Sequence, residues 1–165
     1  MRIAFIPAAE ADLPELLALA RAAAQAPGSH WDETYPDEAM LRWDLDHGAL
    51  YRIEDGGTLV GLISLCRDED KALSWPTADE NACMLSRLGL HPDYQGKGLL
   101  EPVFAGAVAY CGTLGYRTLR LLVATDLDRL IRVYARCGFT RVGQVHLWDQ
   151  DFFQYEQSFP ARPTP

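Results

Sequence analysis

The sequence predicts a mixed α/β (α+β) fold, a mostly antiparallel central sheet of about seven strands flanked by about four helices. Short apolar runs of strand-like composition recur seven times along the chain. Two pairs of these runs are separated only by turn-forming residues, the pattern of antiparallel hairpins. Four longer stretches space their apolar residues by three and four, the period of one helix face.

In chain order, Arg2 to Ile6 reads as the first strand, ended by Pro7. Ala11 and Asp12 cap a helix from Leu13 to about Ala24, with Leu13, Leu16, Leu17 and Ala20 on its apolar face. A loop holding Pro27, Gly28 and Trp31 leads to a second helix near Asp37 to His47. Strands follow at Ala49 to Glu54 and Thr58 to Cys66, joined through Asp55, Gly56 and Gly57, and Asp68 to Glu80 is a polar loop. Ala82 to Leu90 is an apolar strand that Pro92 stops, while a third helix begins near Leu100, tolerates Pro102 in its first turn and ends at Gly115. Tyr116 to Val123 alternates as a strand. Asp126 to Cys137 then presents Leu127, Leu130, Ile131, Tyr134 and Cys137 on one helix face, with Thr125 or Asp126 as N-cap and Gly138 as stop. Phe139 to Trp148 and Phe152 to Phe159 supply the last two strands around Asp149 and Gln150.

A length of 165 residues with 48% hydrophobic content suits one compact domain, expected over residues 1–160 ahead of a frayed proline-rich tail at 161–165. No run is long enough to cross a membrane and the N-terminus lacks a signal-peptide pattern, so a cytoplasmic location without membrane partners is expected. Cys66, Cys83, Cys111 and Cys137 lack paired spacing and read as reduced thiols, and His30, His47, His91 and His146 form no metal-ligand spacing, so no metal is expected. A net charge of −8 excludes the basic stripe of a nucleic-acid-binding module. The charge is uneven: residues 1–80 hold 16 carboxylates against 6 Lys and Arg, and residues 81–165 hold 7 against 9.

The most informative segment runs from Leu88 to Leu100. An apolar strand meets a proline stop, a turn with two glycines at Gly96 and Gly98, and a helix start. Glycines let the backbone approach a ligand, and a helix start offers unpaired N–H groups and a positive dipole end to an anion. Neither common nucleotide motif fits. A Walker loop needs glycine where His91 stands and Ser or Thr where Gly98 stands, and a dinucleotide fingerprint needs a third glycine at Glu101.

Gln95-Gly96-Lys97-Gly98-Leu99-Leu100 resembles the cofactor loop of the GNAT superfamily of N-acetyltransferases, departing from it at Leu100, where a small residue is usual. The later run Val133 to Phe139 resembles that superfamily's second signature, a helix tyrosine followed by Gly-Phe entering a strand. The resemblance spans nearly the whole chain. It implies that backbone N–H groups from Gln95 to Leu100 hold the pyrophosphate of coenzyme A, that Leu88, Gly89 and Leu90 pair with the pantetheine arm, and that Tyr134 sits beside the cofactor sulfur. It further implies acetyl-CoA as acyl-donor co-substrate, with direct transfer to a primary amine of a small molecule or peptide, an N–H near Leu90 steadying the oxyanion, and Tyr134 protonating the leaving thiolate. It leaves room for a homodimer. Lys97, Arg129, Arg132 and Arg136 are the cations available to phosphates.

No carboxylate stands between Asn81 and Pro92, and Leu122 occupies the position of a glutamate base in some relatives. The general base therefore stays open among Ser86, His91 and a water they hold. Trp31 and Tyr35 fall where the superfamily builds one wall of its acceptor cleft, with Trp75, His146 and Trp148 as further candidates. An acidic rim from residues 1–80 would favour a cationic amine. The alternative reading is a non-catalytic acyl-CoA-binding sensor or partner domain of the same fold.

Overall fold

The computed structural model of the chain describes residues 1–160, and the tail expected over 161–165 lies outside the described residues. Seven strands form one sheet: β1 (Ile3–Pro7), β2 (Leu50–Asp55), β3 (Thr58–Arg67), β4 (Cys83–Leu90), β5 (Thr118–Ala124), β6 (Thr140–Leu147) and β7 (Gln150–Ser158). Their order is β1-β2-β3-β4-β5-β7-β6. The four helices are α1 (Leu13–Ala24), α2 (Glu38–Asp46), α3 (Leu100–Thr113) and α4 (Asp128–Arg136). β1–β2, β2–β3, β5–β7 and β6–β7 pair antiparallel, whereas β4 and β5 run parallel. Parallel neighbours need a long crossover, and α3 supplies it. The architecture is the mixed, mostly antiparallel one expected.

The chain divides into two compact units, one of Met1–Cys66 with Ser86–Val103, the other of Arg67–Leu85 with the residues from Phe104 on. In the first, Leu13, Leu16, Leu19 and Ala20 of α1 pack with Leu41, Leu50 and Leu62. Leu17, expected on the buried face, lies at its margin. α1 is apolar nearly all round, so its period alone does not choose between Leu17 and Leu19; packing does. Asp12 makes no side-chain cap on α1. Its carboxylate instead accepts from the Ala9 N–H at 2.8 Å and from Arg52 at 2.9 Å. Asp37 does cap α2, accepting from the Met40 N–H at 2.9 Å.

In the second unit, Arg120 of β5 stands opposite Glu156 of β7 and donates to it at 2.9 Å. It also donates to Asp68 at 2.9 Å and to the Thr77 carbonyl, and lies over the Trp75 ring at 5.1 Å. The loop expected to be merely polar is thereby drawn inward, with the Asp68 side chain only 4% exposed. Burying these carboxylates is tolerable because one guanidinium satisfies both.

Two boundaries differ from expectation. The N-cap position of α4 is Leu127, without a side-chain bond, rather than Thr125 or Asp126. Thr125 still donates to the Asp151 carbonyl at 3.1 Å, so the β5–β7 ladder delays the helix start. The last hairpin turns at Trp148 and Asp149, with φ of 50° and 59°, and Gln150 already belongs to β7.

Candidate functional site

Gln95 to Leu100 forms an open cradle. Gly96 and Gly98 take φ of 72° and 76°, and a Cβ at either would meet nothing within 4 Å. These glycines are required by backbone conformation, not by crowding. The Gln95 N–H is taken by the Pro92 carbonyl at 3.2 Å. Among the described residues, the N–H groups of Gly96, Lys97, Gly98, Leu99 and Leu100 form no hydrogen bond, so the free donors begin one residue later than expected. α3 opens directly after them, with Val103 N–H donating to the Leu99 carbonyl at 3.0 Å. Unpaired donors at a helix start are suited to an anion. Leu99 is the residue sent into the core, at 5% exposure, while Leu100 is only partly buried.

The Gln95 side chain fastens this turn to β4 by donating to the Leu90 carbonyl at 2.9 Å. His91 N–H donates to Val60 on β3 at 2.9 Å. Because backbone groups alternate sides along a strand, the N–H and C=O of Leu90 and Leu88 point to the opposite edge. β4 pairs with β5 only at Cys83 and Met84. Lys97 lies over the Tyr94 ring at 5.8 Å.

Trp31 and Tyr35, both between α1 and α2, converge on β4. The Trp31 ring covers Gly89 so closely that a Cβ there would overlap it. Tyr35 reaches Arg87, two residues earlier in the strand. Arg87 adopts φ of 48° inside β4 and makes a two-pronged ion pair with Asp44 of α2, Nε to Oδ2 and Nη2 to Oδ1, both 2.7 Å. Asp44 is fully buried, and the Arg87 side chain is 18% exposed. Burial alone would weaken the guanidinium charge; the Asp44 bonds and Tyr35 outweigh it and raise its pKa. Sequence reasoning missed this pair, since nothing in one chain links position 44 to position 87.

Several carboxylates of residues 1–80, the half that would supply an acidic rim, are paired with neighbouring side chains. Glu10 and Glu38 meet Arg42, Asp12, Glu15 and Glu54 meet Arg52, and Asp32 accepts from Thr34.

Tyr134 lies in the second unit, 5% exposed. Its ring meets Phe104 edge-on at 4.7 Å, Phe139 at 5.8 Å and Tyr155 at 5.6 Å between centroids. Burial first, then Tyr155 and Cys137, push its phenol well above the ordinary range, so it stays protonated at neutral pH. The spacing of the Tyr134, Gly138, Phe139 signature has a local cause. Phe139 N–H returns to the Tyr134 carbonyl at 3.1 Å and Gly138 N–H to the Ala135 carbonyl at 3.3 Å, with Gly138 at φ of 87°. This is a Schellman stop, whose hydrophobic clasp is the Phe139–Tyr134 ring contact.

The remaining candidates are engaged or peripheral. Trp75 packs on Arg120, His146 bonds Asp151 at 2.8 Å, and Trp148 is 82% exposed at a hairpin tip. His91 Nδ1 accepts from the Asp93 N–H at 3.2 Å, a turn-forming bond. Cys83 and Cys111 are buried with sulfurs 3.7 Å apart, and like Cys66 and Cys137 they are not in a disulfide. Among the described residues, no group of three or more His, Cys, Asp or Glu is placed to hold a metal ion, and no helix is long and apolar enough to cross a membrane.

A mixed seven-stranded sheet with a parallel β4–α3–β5 crossover and a glycine turn of unbonded N–H groups at the end of β4 defines an acetyltransferase-type fold. The chain belongs to the acetyltransferase (GNAT) family, whose model matches residues 14–139. It is similar in fold to a GNAT-family acetyltransferase from Streptococcus agalactiae, with a TM-score of 0.79 at 14% identity over 96% of each chain. A spermidine N-acetyltransferase chimera from Vibrio cholerae and hSSAT gives a TM-score of 0.70 at 20% identity over 96% of each chain. yncA from Salmonella typhimurium, in a structure with its cofactor acetyl-CoA, gives 0.68 at 17% identity over 100% of this chain and 98% of that one. No curated protein matches the chain by sequence.

Proposed function

We propose that residues 1–160 act as one acyl-CoA-dependent N-acetyltransferase domain that passes an acetyl group directly to a primary amine. The observation that carries this reading is the run of unbonded N–H donors from Gly96 to Leu100 at the start of α3, beyond a β4 edge whose Leu88 and Leu90 groups face away from β3. Those donors suit a pyrophosphate, and that edge suits an amide-bearing arm laid along it like another strand. Lys97 adds one cation beside the cradle. When bound, acetyl-CoA supplies the activated acyl group as a thioester.

The remaining chemistry falls to the chain. Trp31 and Tyr35 present aromatic surface over β4 on which an amine is held near Gly89. A backbone N–H around Leu90 steadies negative charge on the carbonyl oxygen during attack. Tyr134 Oη carries the proton that a leaving thiolate requires; the side chain is buried and its raised pKa keeps that proton in place until transfer. Removal of the amine proton falls to a water, since β4 offers no carboxylate.

That missing carboxylate is also what favours the second reading, a non-catalytic acyl-CoA binder. Thiol release from acetyl-CoA over an amine panel, with calorimetric binding of the cofactor, separates the two. Transfer is expected with at least one amine, and Tyr134→Phe is expected to lower kcat by ~100-fold or more with acetyl-CoA affinity retained. Tight binding without turnover on any amine, and no effect of Tyr134→Phe, would leave only the binder.

A further inference from the structure

Resting on the amine-transfer reading, we propose that Arg87 selects acceptors carrying a carboxylate close to the reacting amine. The Arg87–Asp44 pair is not symmetric toward the surface. Asp44 is fully buried behind the guanidinium, and the side chain of Arg87 retains 18% exposure. Nε and one hydrogen of Nη2 are committed to Asp44 in the two 2.7 Å bonds. A guanidinium carries five N–H donors; Asp44 leaves three, two on Nη1 and one on Nη2, and the Tyr35 hydroxyl accepts from one of these, so two are left for a ligand. The aspect of the pair turned away from Asp44 is therefore the positive one, with guanidinium N–H donors beside the Tyr35 hydroxyl, although the pair as a whole is neutral.

Its position gives that aspect a use. Arg87 and Gly89 lie two residues apart in β4; Tyr35 reaches the first and the Trp31 ring covers the second, and both aromatics come from the short segment between α1 and α2. A ligand against Trp31 thus lies next to the free guanidinium edge. The left-handed backbone at Arg87, φ 48°, is costly for a residue with a Cβ and is retained where it aims this side chain. A carboxylate meets the remaining N–H groups in the planar geometry that arginine favours. A second ammonium at the same place is repelled. The acceptor class is then an amine that also bears a carboxylate, such as an amino acid, rather than a polycation.

The test uses matched acceptors that differ only in the carboxylate: phenylalanine, phenylalaninamide and phenethylamine, and lysine against cadaverine. With wild-type protein and acetyl-CoA, the carboxylated member of each set is expected to have a kcat/KM at least ~10-fold higher, expressed mainly in acceptor KM. In the paired variant Arg87→Met with Asp44→Leu, which leaves no unpaired buried charge, that ratio is expected to fall to within ~3-fold. Arg87→Lys, which keeps the charge but loses the fork, should restore part of it. Equal use of carboxylated and decarboxylated partners by the wild type, or a ratio that survives in the paired variant, overturns the assignment of Arg87 and leaves the transferase reading standing. Failure of every amine, with acetyl-CoA still bound, overturns the transferase reading itself and the acceptor class with it.

Discussion

Arg87→Met taken alone should be among the most damaging single substitutions in the first unit. Methionine fills much of the arginine stem but removes both 2.7 Å bonds, leaving the Asp44 carboxylate with no accessible surface and no cation. Stranding one member of a buried pair costs about 3–5 kcal/mol, against a total stability of about 5–15 kcal/mol for a domain. For a chain of this size each kcal/mol moves Tm by roughly 2–4 °C, so a loss of ~6–20 °C is expected. Adding Asp44→Leu removes the stranded charge and should recover most of that loss, since apolar replacement of a whole buried pair is often neutral. The assay is thermal and urea unfolding of wild type, both single variants and the double variant, combined as a double-mutant cycle. A single-variant loss below ~1 kcal/mol, or a double variant no better than the worse single, would show that water or another group satisfies Asp44 and that the pair does not organise this face.

Gly98→Ala should weaken acetyl-CoA binding and stability together, the latter by about 1–2 kcal/mol, because alanine resists φ of 76° although the space is open; calorimetry and urea melts read the two effects, and an unaffected cofactor affinity would argue against the cradle. Replacing Trp148-Asp149 with Asn-Gly should stabilise the last hairpin by up to ~1 kcal/mol, since both positions are left-handed and Trp148 is 82% exposed; an unchanged or lower Tm would mean that the Trp148 contact with Phe152 outweighs turn chemistry. Tyr134 ionises more readily unfolded than folded, because burial raises its pKa above the usual value of about 10. Its contribution is complete below that pH and is lost as pH rises through the folded pKa, so stability should fall above pH ~10 in wild type and less steeply in Tyr134→Phe. Parallel pH profiles for the two proteins would contradict the burial-driven shift.

Local chemistry was legible wherever it acts within a few residues. α1 begins and ends where apolar spacing and its flanks put it, Gly56 and Gly57 turn the β2–β3 hairpin, and Gly96 and Gly98 occupy left-handed positions that only a tight turn demands. Even the Tyr134-to-Phe139 signature proves to be a local device, a helix stop readable from a glycine four residues past the tyrosine. The errors lie where distant residues decide. Thr125 is held by the β5–β7 ladder instead of capping α4, and Asp12 is taken by Arg52 from another element.

The glycine turn at Gly96 and Gly98, the family and the aromatic segment between α1 and α2 are properties of consecutive residues, and the chain alone determines them. Tertiary structure alone decided that Trp31 lies on Gly89, that Asp44 lies behind Arg87, and that Arg120 gathers Asp68 and Glu156 into the interior. The physical reason is range. Turn and capping preferences are set by dihedral angles and bonds within one helical turn, whereas ion pairing and ring packing depend on which strands the sheet makes neighbours.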